Sequence, residues 1–204
     1  MFYKTNEPHG LPHDPFKSCV VPRPIAWVSS IHPNGAVNLA PFSFFNAISS
    51  DPPMVIISFT GYHEHGGEKD TLHNIKSSGE FVANMVPLAL KDEMNVTTAP
   101  VAHEIDELGL AGLNTEPSAL VKPPRVKEAP IHLECAFHQE IKLPCTLKDS
   151  INTMIIGQVL GVHIKDEVLS DGLIDLSKIK PLARLGYKQY TVVDNLFEMN
   201  RPQD

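Results

Sequence analysis

NLAPFSFFNAISSDPPMVIIS, residues Asn38 to Ser58, is the stretch whose reading decides the fold of this chain. It opens on the tail of an apolar segment and runs through a loop dense in Phe, Ser and Asn. After Asp51-Pro52-Pro53 it leaves as Met54-Val55-Ile56-Ile57-Ser58, the apolar run of a buried strand. Consecutive prolines donate no ladder hydrogen bonds and hold the preceding residue extended, so they fix how that strand is entered. In the loop, Phe42, Phe44 and Phe45 sit among Ser43, Asn46, Ser49 and Ser50. Apolar planes interleaved with short hydrogen-bonding groups suit a flat aromatic ligand with a polar edge. Three phenylalanines in four residues suit a packed core as well.

Upstream of this stretch, Ile25–Ile31 reads as a strand and His32-Pro33-Asn34-Gly35 as a turn, since Asn-Gly readily takes positive φ. Ala36–Ala40 is the return strand. Residues 1–19 form an arm punctuated by Pro8, Pro12 and Pro15, with a short strand expected near Met1–Lys4. Downstream, the glycine-rich loop Thr60–Glu68 leads into a helix that opens at Lys69-Asp70-Thr71 and runs to about Ser78. Asp70 or Thr71 is its expected N-cap and Gly79 its stop. Phe81–Val86, Ile131–Leu143, Thr153–Lys165 and Tyr187–Val193 read as strands, and Leu88–Thr98 as a second helix. Seven or eight strands, two or three short helices and no βαβ alternation argue for a closed antiparallel barrel. Pro100–Lys127 is irregular, and a segment of that length is expected to be functional or packed on a partner.

The bulk properties narrow the function classes. A chain of 204 residues, 42% hydrophobic and 20% charged, forms one domain with one substantial core. Its net charge of −7 and pI near 5.8 exclude a nucleic-acid surface. The polar start MFYKTNEPHG lacks the apolar core of a signal peptide, and no apolar run is long enough for a membrane span. Three unpatterned cysteines, Cys19, Cys135 and Cys145, indicate reduced thiols and a cytoplasmic location. There is no GxGxxG, P-loop or Gly-x-Ser-x-Gly element, which removes Rossmann, P-loop and serine-hydrolase chemistry.

Ten histidines raise the question of a metal. His132 and His138 would point to one face of a strand and Cys135 to the other, so that set fails on geometry. His63 and His65 flank Glu64 in the glycine-rich loop, with no third ligand near them in sequence, so no metal is expected. An anion site is better supported. The helix opening at Lys69 would present unpaired N–H groups and a favourable dipole to a phosphate, with Lys69 and Thr71 adding a charge and a hydroxyl, and Ser58 at a strand end close by. The plainer reading is that Asp70 and Thr71 only cap the helix.

Several of these segments, in order, resemble the flavin reductase-like family of FMN-binding split barrels. They are Val21-Pro22-Arg23-Pro24-Ile25-Ala26-Trp27-Val28-Ser29-Ser30, Asn38–Asn46, Ser49-Ser50-Asp51-Pro52-Pro53, Lys69–Ile75, Phe81-Val82-Ala83-Asn84 and Arg184-Leu185-Gly186 with Tyr190. The match spans about residues 18–193 of a single 1–204 domain. Its nearest branch holds flavoredoxin-like proteins and the flavin-supplying components of two-component monooxygenases. The resemblance implies a mainly β, antiparallel Greek-key split barrel with a few short helices, binding FMN non-covalently as a homodimer. It implies cofactor contacts from Ala40, Pro41, Phe42, Ser43, Phe44, Asn46, Ser49, Ser58, Lys69, Thr71 and Arg184. With one anion site and no second phosphate cradle, FMN is expected over FAD. If the phosphate lies elsewhere, Arg23 or Arg184 is the next candidate. No acid or base catalyst is required, because main-chain N–H groups can stabilise charge accumulating on a reduced flavin.

One departure bears on activity. Where many family members carry Gly-Asp-His before the penultimate strand, this chain has Asp149-Ser150-Ile151-Asn152-Thr153, with Asn152 in place of the His that helps hold the nicotinamide. Two readings follow. One is an NAD(P)H:flavin reductase that serves a partner monooxygenase or redox protein. The other is a flavoredoxin-like carrier that keeps FMN as a prosthetic group and does not use NAD(P)H directly.

Overall fold

The structure, a computed structural model, describes residues 1–103 and 105–202; Glu104, Gln203 and Asp204 of the expected single domain lie outside it. Seven strands make one antiparallel sheet: β1 (Ala26–Ile31), β2 (Val37–Phe42), β3 (Phe45–Ser50), β4 (Pro53–Thr60), β5 (Glu80–Met85), β6 (Ile131–Leu143) and β7 (Asn152–Ile164). Their spatial order is β2-β1-β5-β6-β7-β4-β3. The edge strands β2 and β3 are therefore at opposite ends of the sheet, yet only Ser43 and Phe44 lie between them in sequence. Laid flat, six strand spacings of about 4.8 Å would separate the edges by about 29 Å. Three Cα steps reach only about 11 Å. The sheet has to curl until its edges meet, leaving a seam that is joined covalently and is not hydrogen-bonded as a ladder.

Alternation along the strands sorts the core. Val28, Val55, Ile57, Phe59, Phe81, Cys135 and Ile155 fill the barrel, and Phe42 and Phe45 pack against them from the seam. The Phe42 ring meets Phe59 edge-on, with centroids 4.7 Å apart. Phe81 needs the space above Gly157, where a Cβ would come within 2.5 Å of its ring. The helix α1 (Asp70–Ser78) plugs one end of the barrel with Leu72 and Ile75. Gly79 ends it in the left-handed region at φ 74°, as its position in the sequence suggested. A second cluster, with Trp27, Leu39, Met94, Leu108 and Val126, lies outside β1 and β2.

Three local expectations are corrected. Phe45–Ser50 is a strand, not a loop; as an edge strand exposed on nearly its whole length it carries no inside–outside alternation to reveal it. No strand forms at Met1–Lys4, where nothing supplies a pairing edge. The helix expected over Leu88–Thr98 splits into a 3₁₀ turn, Leu88–Leu90, and a short α-helix, Lys91–Val96.

The described part of Pro100–Lys127 folds back on its own barrel. Ser118–Leu120 is hooked by the buried Glu134 of β6, whose carboxylate accepts from the N–H groups of Ala119 (2.8 Å) and Leu120 (2.6 Å) and contacts His163 Nε2 at 2.5 Å. Burial alone would raise the pKa of Glu134, but these donors outweigh it and hold the carboxyl below its ordinary range. Next to it, Asn84 donates to the Trp27 carbonyl (2.8 Å), which fixes its amide so that Oδ1 accepts from Val126 N–H (3.0 Å) and from His132 Nδ1 (2.8 Å). His132 is thus a buried neutral imidazole with its proton on Nδ1. Burial, then the nearby Arg125, His163 and Lys165, push its pKa down to about 4.

A pH dependence follows. The unfolded chain protonates this imidazole near pH 6.5 and the folded chain only near 4, so its contribution is complete above pH 6.5 and is lost as pH falls through that window. The loss is about 3 kcal/mol at about 1.36 kcal/mol per unit, with Glu134 adding a further loss below the ordinary carboxylate range. Urea unfolding at pH 7 and at pH 4.5 measures it, and His132→Gln should flatten the slope between pH 6.5 and 4.5.

Candidate functional site

The seam and the start of α1 hold most of the residues singled out in the sequence. On β3, Asn46 is opposite Ile56 of β4 and Ser49 is opposite Met54. Val55, Ile57 and Phe59 of β4 point into the barrel, so Met54, Ile56 and Ser58 point out. Asn46, Ser49 and Ser58 consequently share one outer face, where Met154 and Ile156 of β7 pair with Ser58 and Ile56. This face mixes hydroxyls and an amide with aliphatic side chains. Ser58 is tied into the seam, its N–H donating to the Phe44 carbonyl at 2.8 Å.

Ala40, Pro41 and Phe42 end β2, and the link Ser43–Phe44 is half-buried beside a cationic group. Arg23 and Arg184 are opposite each other in a small sheet formed by Arg23–Pro24, Leu182–Arg184 and Tyr190–Val192. Arg23 is 6% exposed, and its guanidinium donates to the carbonyls of Lys17 (2.5 Å), Val20 (2.7 Å) and Leu185 (2.9 Å). Its Nε approaches Ser43 Oγ at 3.5 Å, and its charge lies 5.9 Å from the Phe44 ring. Burial, and then the neighbouring Arg184, lower its pKa from the usual guanidinium value. Arg184 is held by the Tyr190 hydroxyl and the Tyr187 carbonyl and stacks on the Tyr190 ring. Among the described residues, neither arginine has a carboxylate within ion-pair distance.

At the other pole, α1 begins without a side-chain cap. Lys69 occupies the N-cap position, so the expectation of Asp70 or Thr71 there is corrected. The Thr71 hydroxyl is buried and accepts from Asn38 Nδ2 at 3.0 Å, while Asn74 donates to Ser30 Oγ at 3.1 Å. These two contacts seat the helix in the barrel mouth. They also separate the expected trio: Ser58 faces outward, Thr71 faces inward, and Lys69 stands at the helix entrance. The main chain remains available. Among the described residues, no oxygen accepts from the N–H groups of Asp70, Thr71 or Leu72, and no carboxylate pairs with Lys69. Asp70, but not Lys69, Thr71 or Leu72, lines a cavity of about 1020 Å³ together with His73, His103, Glu68, Asp106 and Glu107.

The Asp70 carboxylate is turned away from its own helix towards two histidines. His63 Nε2 is 3.5 Å from one oxygen and His103 Nδ1 is 2.5 Å from the other. The sequence placed His63 with His65 and found no third group; the third and fourth come from the helix and from a residue forty positions downstream. No local spacing reports that meeting. Cys135, by contrast, is in the barrel core and His138 is exposed on β6, which keeps them apart as the strand geometry required.

Asn152, at the start of β7, donates from Nδ2 to the Pro144 carbonyl at 3.0 Å. With Thr60, Gly61, Cys145 and Ser150 it lines a cavity of about 420 Å³. Among the described residues no helix is long and apolar enough to cross a membrane.

Comparison with known proteins agrees with this architecture. Residues 18–186 match the model of the flavin reductase like domain. An uncharacterised protein of Aquifex aeolicus is 37% identical over 172 residues, 84% of each chain. The crystal structure of nitrilotriacetate monooxygenase component B from Bacillus cereus is 30% identical and superposes with a TM-score of 0.87, covering 98% of this chain and 99% of that one. The 2-nitrobenzoate 2-nitroreductase of Pseudomonas fluorescens is 29% identical, with a TM-score of 0.77 over 92% and 88% of the two chains. A barrel closed across a two-residue seam, matched over nearly its whole length by sequence and by shape, places this chain in the flavin reductase-like family of split barrels.

Proposed function

We propose that this chain is an FMN-binding oxidoreductase of the flavin-reductase type, acting as a cytoplasmic homodimer that passes electrons to a partner monooxygenase or redox protein. The observation that carries the reading is the uncapped entrance of α1. Among the described residues, three N–H groups without an acceptor and a lysine without a carboxylate partner stand together at the start of a nine-residue helix, a combination that suits an anion. They suit one phosphate; the described residues offer no second helix entrance of this kind for the pyrophosphate of FAD. FMN would supply the redox chemistry, taking up a hydride at N5 and passing electrons on.

The residues of the chain would divide the remaining work. The N–H groups of Asp70–Leu72 and Lys69 hold the phosphate. The outer-face Ser49 and Ser58 suit the ribityl hydroxyls, and the Ala40–Phe44 main chain with Ser43 and Asn46 suits the polar edge of the ring system. Arg23 stands behind Ser43, where a buried cation favours negative charge accumulating on the ligand. Arg184 keeps Arg23 company through the small sheet and acts through it. The half-exposed aliphatic face of Met54, Ile56, Met154 and Ile156, continued by Leu160 and Val162, is the surface a second protomer would cover.

A second reading is kept because Asn152, which by the resemblance takes the place of the family's nicotinamide-binding His, is already bonded to the Pro144 carbonyl. It makes the protein a carrier with permanent FMN and a protein electron donor. The match to the flavin reductase like domain favours the reductase. Anaerobic mixing of the flavin-loaded protein with NADH and then NADPH separates the two: bleaching within seconds by either nucleotide supports the reductase, and no bleaching by both supports the carrier.

Two substitutions test the anion site. Lys69→Ala should weaken FMN by about ten- to a hundred-fold, since a charge-assisted contact is worth about 1.5–3 kcal/mol. Riboflavin, lacking the phosphate, should bind that variant and the wild type equally. Thr71→Val should act differently. It leaves Asn38 Nδ2 buried without its acceptor, at about 1–3 kcal/mol, so urea unfolding of the flavin-free protein should detect it while the FMN-to-riboflavin affinity ratio stays unchanged.

A further inference from the structure

Loops of unrelated position meet at the first residue of α1. His63 comes from the connection between β4 and α1, Asp70 is the opening residue of the helix, and His103 comes from the long segment after Val96. One ligating atom from each, His63 Nε2, an Asp70 carboxylate oxygen and His103 Nδ1, lies within 4.8 Å of the other two. The His63 and His103 rings face each other with centroids 4.4 Å apart and planes tilted by 33°. Exposure rises from 12% at His63 to 22% at Asp70 and 42% at His103, so the group has a closed side and an open one.

We propose that His63, Asp70 and His103 form a binding site for a divalent transition-metal ion, with Zn²⁺ the best-matched probe. Two imidazoles and one carboxylate are a donor set that borderline-soft divalent ions prefer over Ca²⁺ or Mg²⁺, which take oxygen ligands. Metal–ligand distances near 2.0–2.2 Å put neighbouring donor atoms roughly 3–3.5 Å apart in a tetrahedral site. His63 is 3.5 Å from Asp70 Oδ2, already in that range. His103 is 2.5 Å from the other oxygen, Oδ1, so the carboxylate lies between the two imidazoles and an ion shared by all three would take the place of this direct contact. Three ligands leave a position for water on the exposed side.

The charge around the site points the same way. Glu68, Asp106 and Glu107 line the same cavity as Asp70 and His103. Of these, Glu68 is paired with Lys76 at 2.8 Å, so Asp106 and Glu107 are the carboxylates that leave this cavity suited to a cation. His65 is not counted as a ligand, because its Nε2 is 3.4 Å from the Pro100 carbonyl. That contact ties the same two segments together beside the metal. A bound ion would therefore staple the segment after Val96 to the glycine-rich loop and to the mouth of the barrel. The inference does not rest on flavin binding.

Calorimetric titration of the full chain with zinc chloride, carried out on protein as purified, tests it. One equivalent is expected to bind saturably. His63→Ala, Asp70→Asn and His103→Gln should each weaken it by at least about a hundred-fold, because loss of even an outer-shell partner costs about ten- to a hundred-fold. His138→Ala, at an exposed histidine on β6, should bind like the wild type. Should a variant fold poorly, X-ray absorption of the zinc-loaded wild type gives an independent answer: two imidazoles in a nitrogen and oxygen shell are expected. Absence of a saturable single site, wild-type affinity in His63→Ala and His103→Gln, or a shell containing thiolate sulfur would each overturn the assignment.

Discussion

The opposite edges of a seven-stranded sheet are joined here by two residues, Ser43 and Phe44, and the rest of the structure is arranged around that short link. A chain that must cross from β2 to β3 in three Cα steps cannot leave the sheet open. Closure turns Phe42 and Phe45 inward onto Phe59 and leaves Ser43 and Phe44 on the rim, next to Arg23. The pairing of β3 with β4 sets Asn46, Ser49 and Ser58 on one outer face beside that link. Where the edges meet without a ladder, main-chain groups and small polar side chains become available to a ligand without breaking sheet hydrogen bonds.

The same closure makes a barrel with two ends, and α1 fills one of them. Leu72 and Ile75 supply the apolar fit, while Thr71 with Asn38 and Asn74 with Ser30 set the angle of entry. Seating the helix this way consumes its side chains and leaves its first N–H groups uncapped. Asp70 would be the natural cap, but its carboxylate is drawn to His63 and His103 instead. One acidic side chain turned outward thus has two effects: it keeps the helix entrance available to an anion and sets a negative group among histidines. On the outside of the barrel, Glu134 and Asn84 bind the returning segment 118–126 to β5 and β6, so that an irregular stretch becomes part of the second core.

Much of this was legible in the sequence. The β1–β2 hairpin, β4, α1 with its glycine stop, β5 and the long pair β6–β7 all announce themselves by period and by turn residues. β3 did not, because an exposed edge strand has no face to alternate, and Phe-Asn-Ala-Ile-Ser-Ser reads as a loop. In the candidate site, the rim residues Ser43, Asn46 and Ser49 and the helix entrance at Lys69 were named from composition and resemblance. Thr71 was named too, but its burial against Asn38 is a tertiary fact. Likewise the meeting of His63, Asp70 and His103 depends on how a long irregular segment returns, and sequence spacing carries no record of that path. Arg23 was visible between two prolines; its burial beneath Ser43 was not.

The account stands on a ligand phosphate received by the uncapped entrance of α1 while the rest of the ligand lies along the seam. Amide nitrogen–proton NMR of the flavin-free protein, titrated with FMN and separately with riboflavin, addresses that claim directly. FMN is expected to shift the amide signals of Asp70, Thr71 and Leu72 strongly downfield, as charge-assisted hydrogen bonds do, and to perturb Ser43, Phe44 and Asn46. Riboflavin should perturb the seam residues and leave the three helix amides in place. If FMN leaves Asp70–Leu72 unmoved and its phosphate-dependent shifts appear instead around Arg23 and Arg184, the entrance of α1 is not the anion site and the account is wrong.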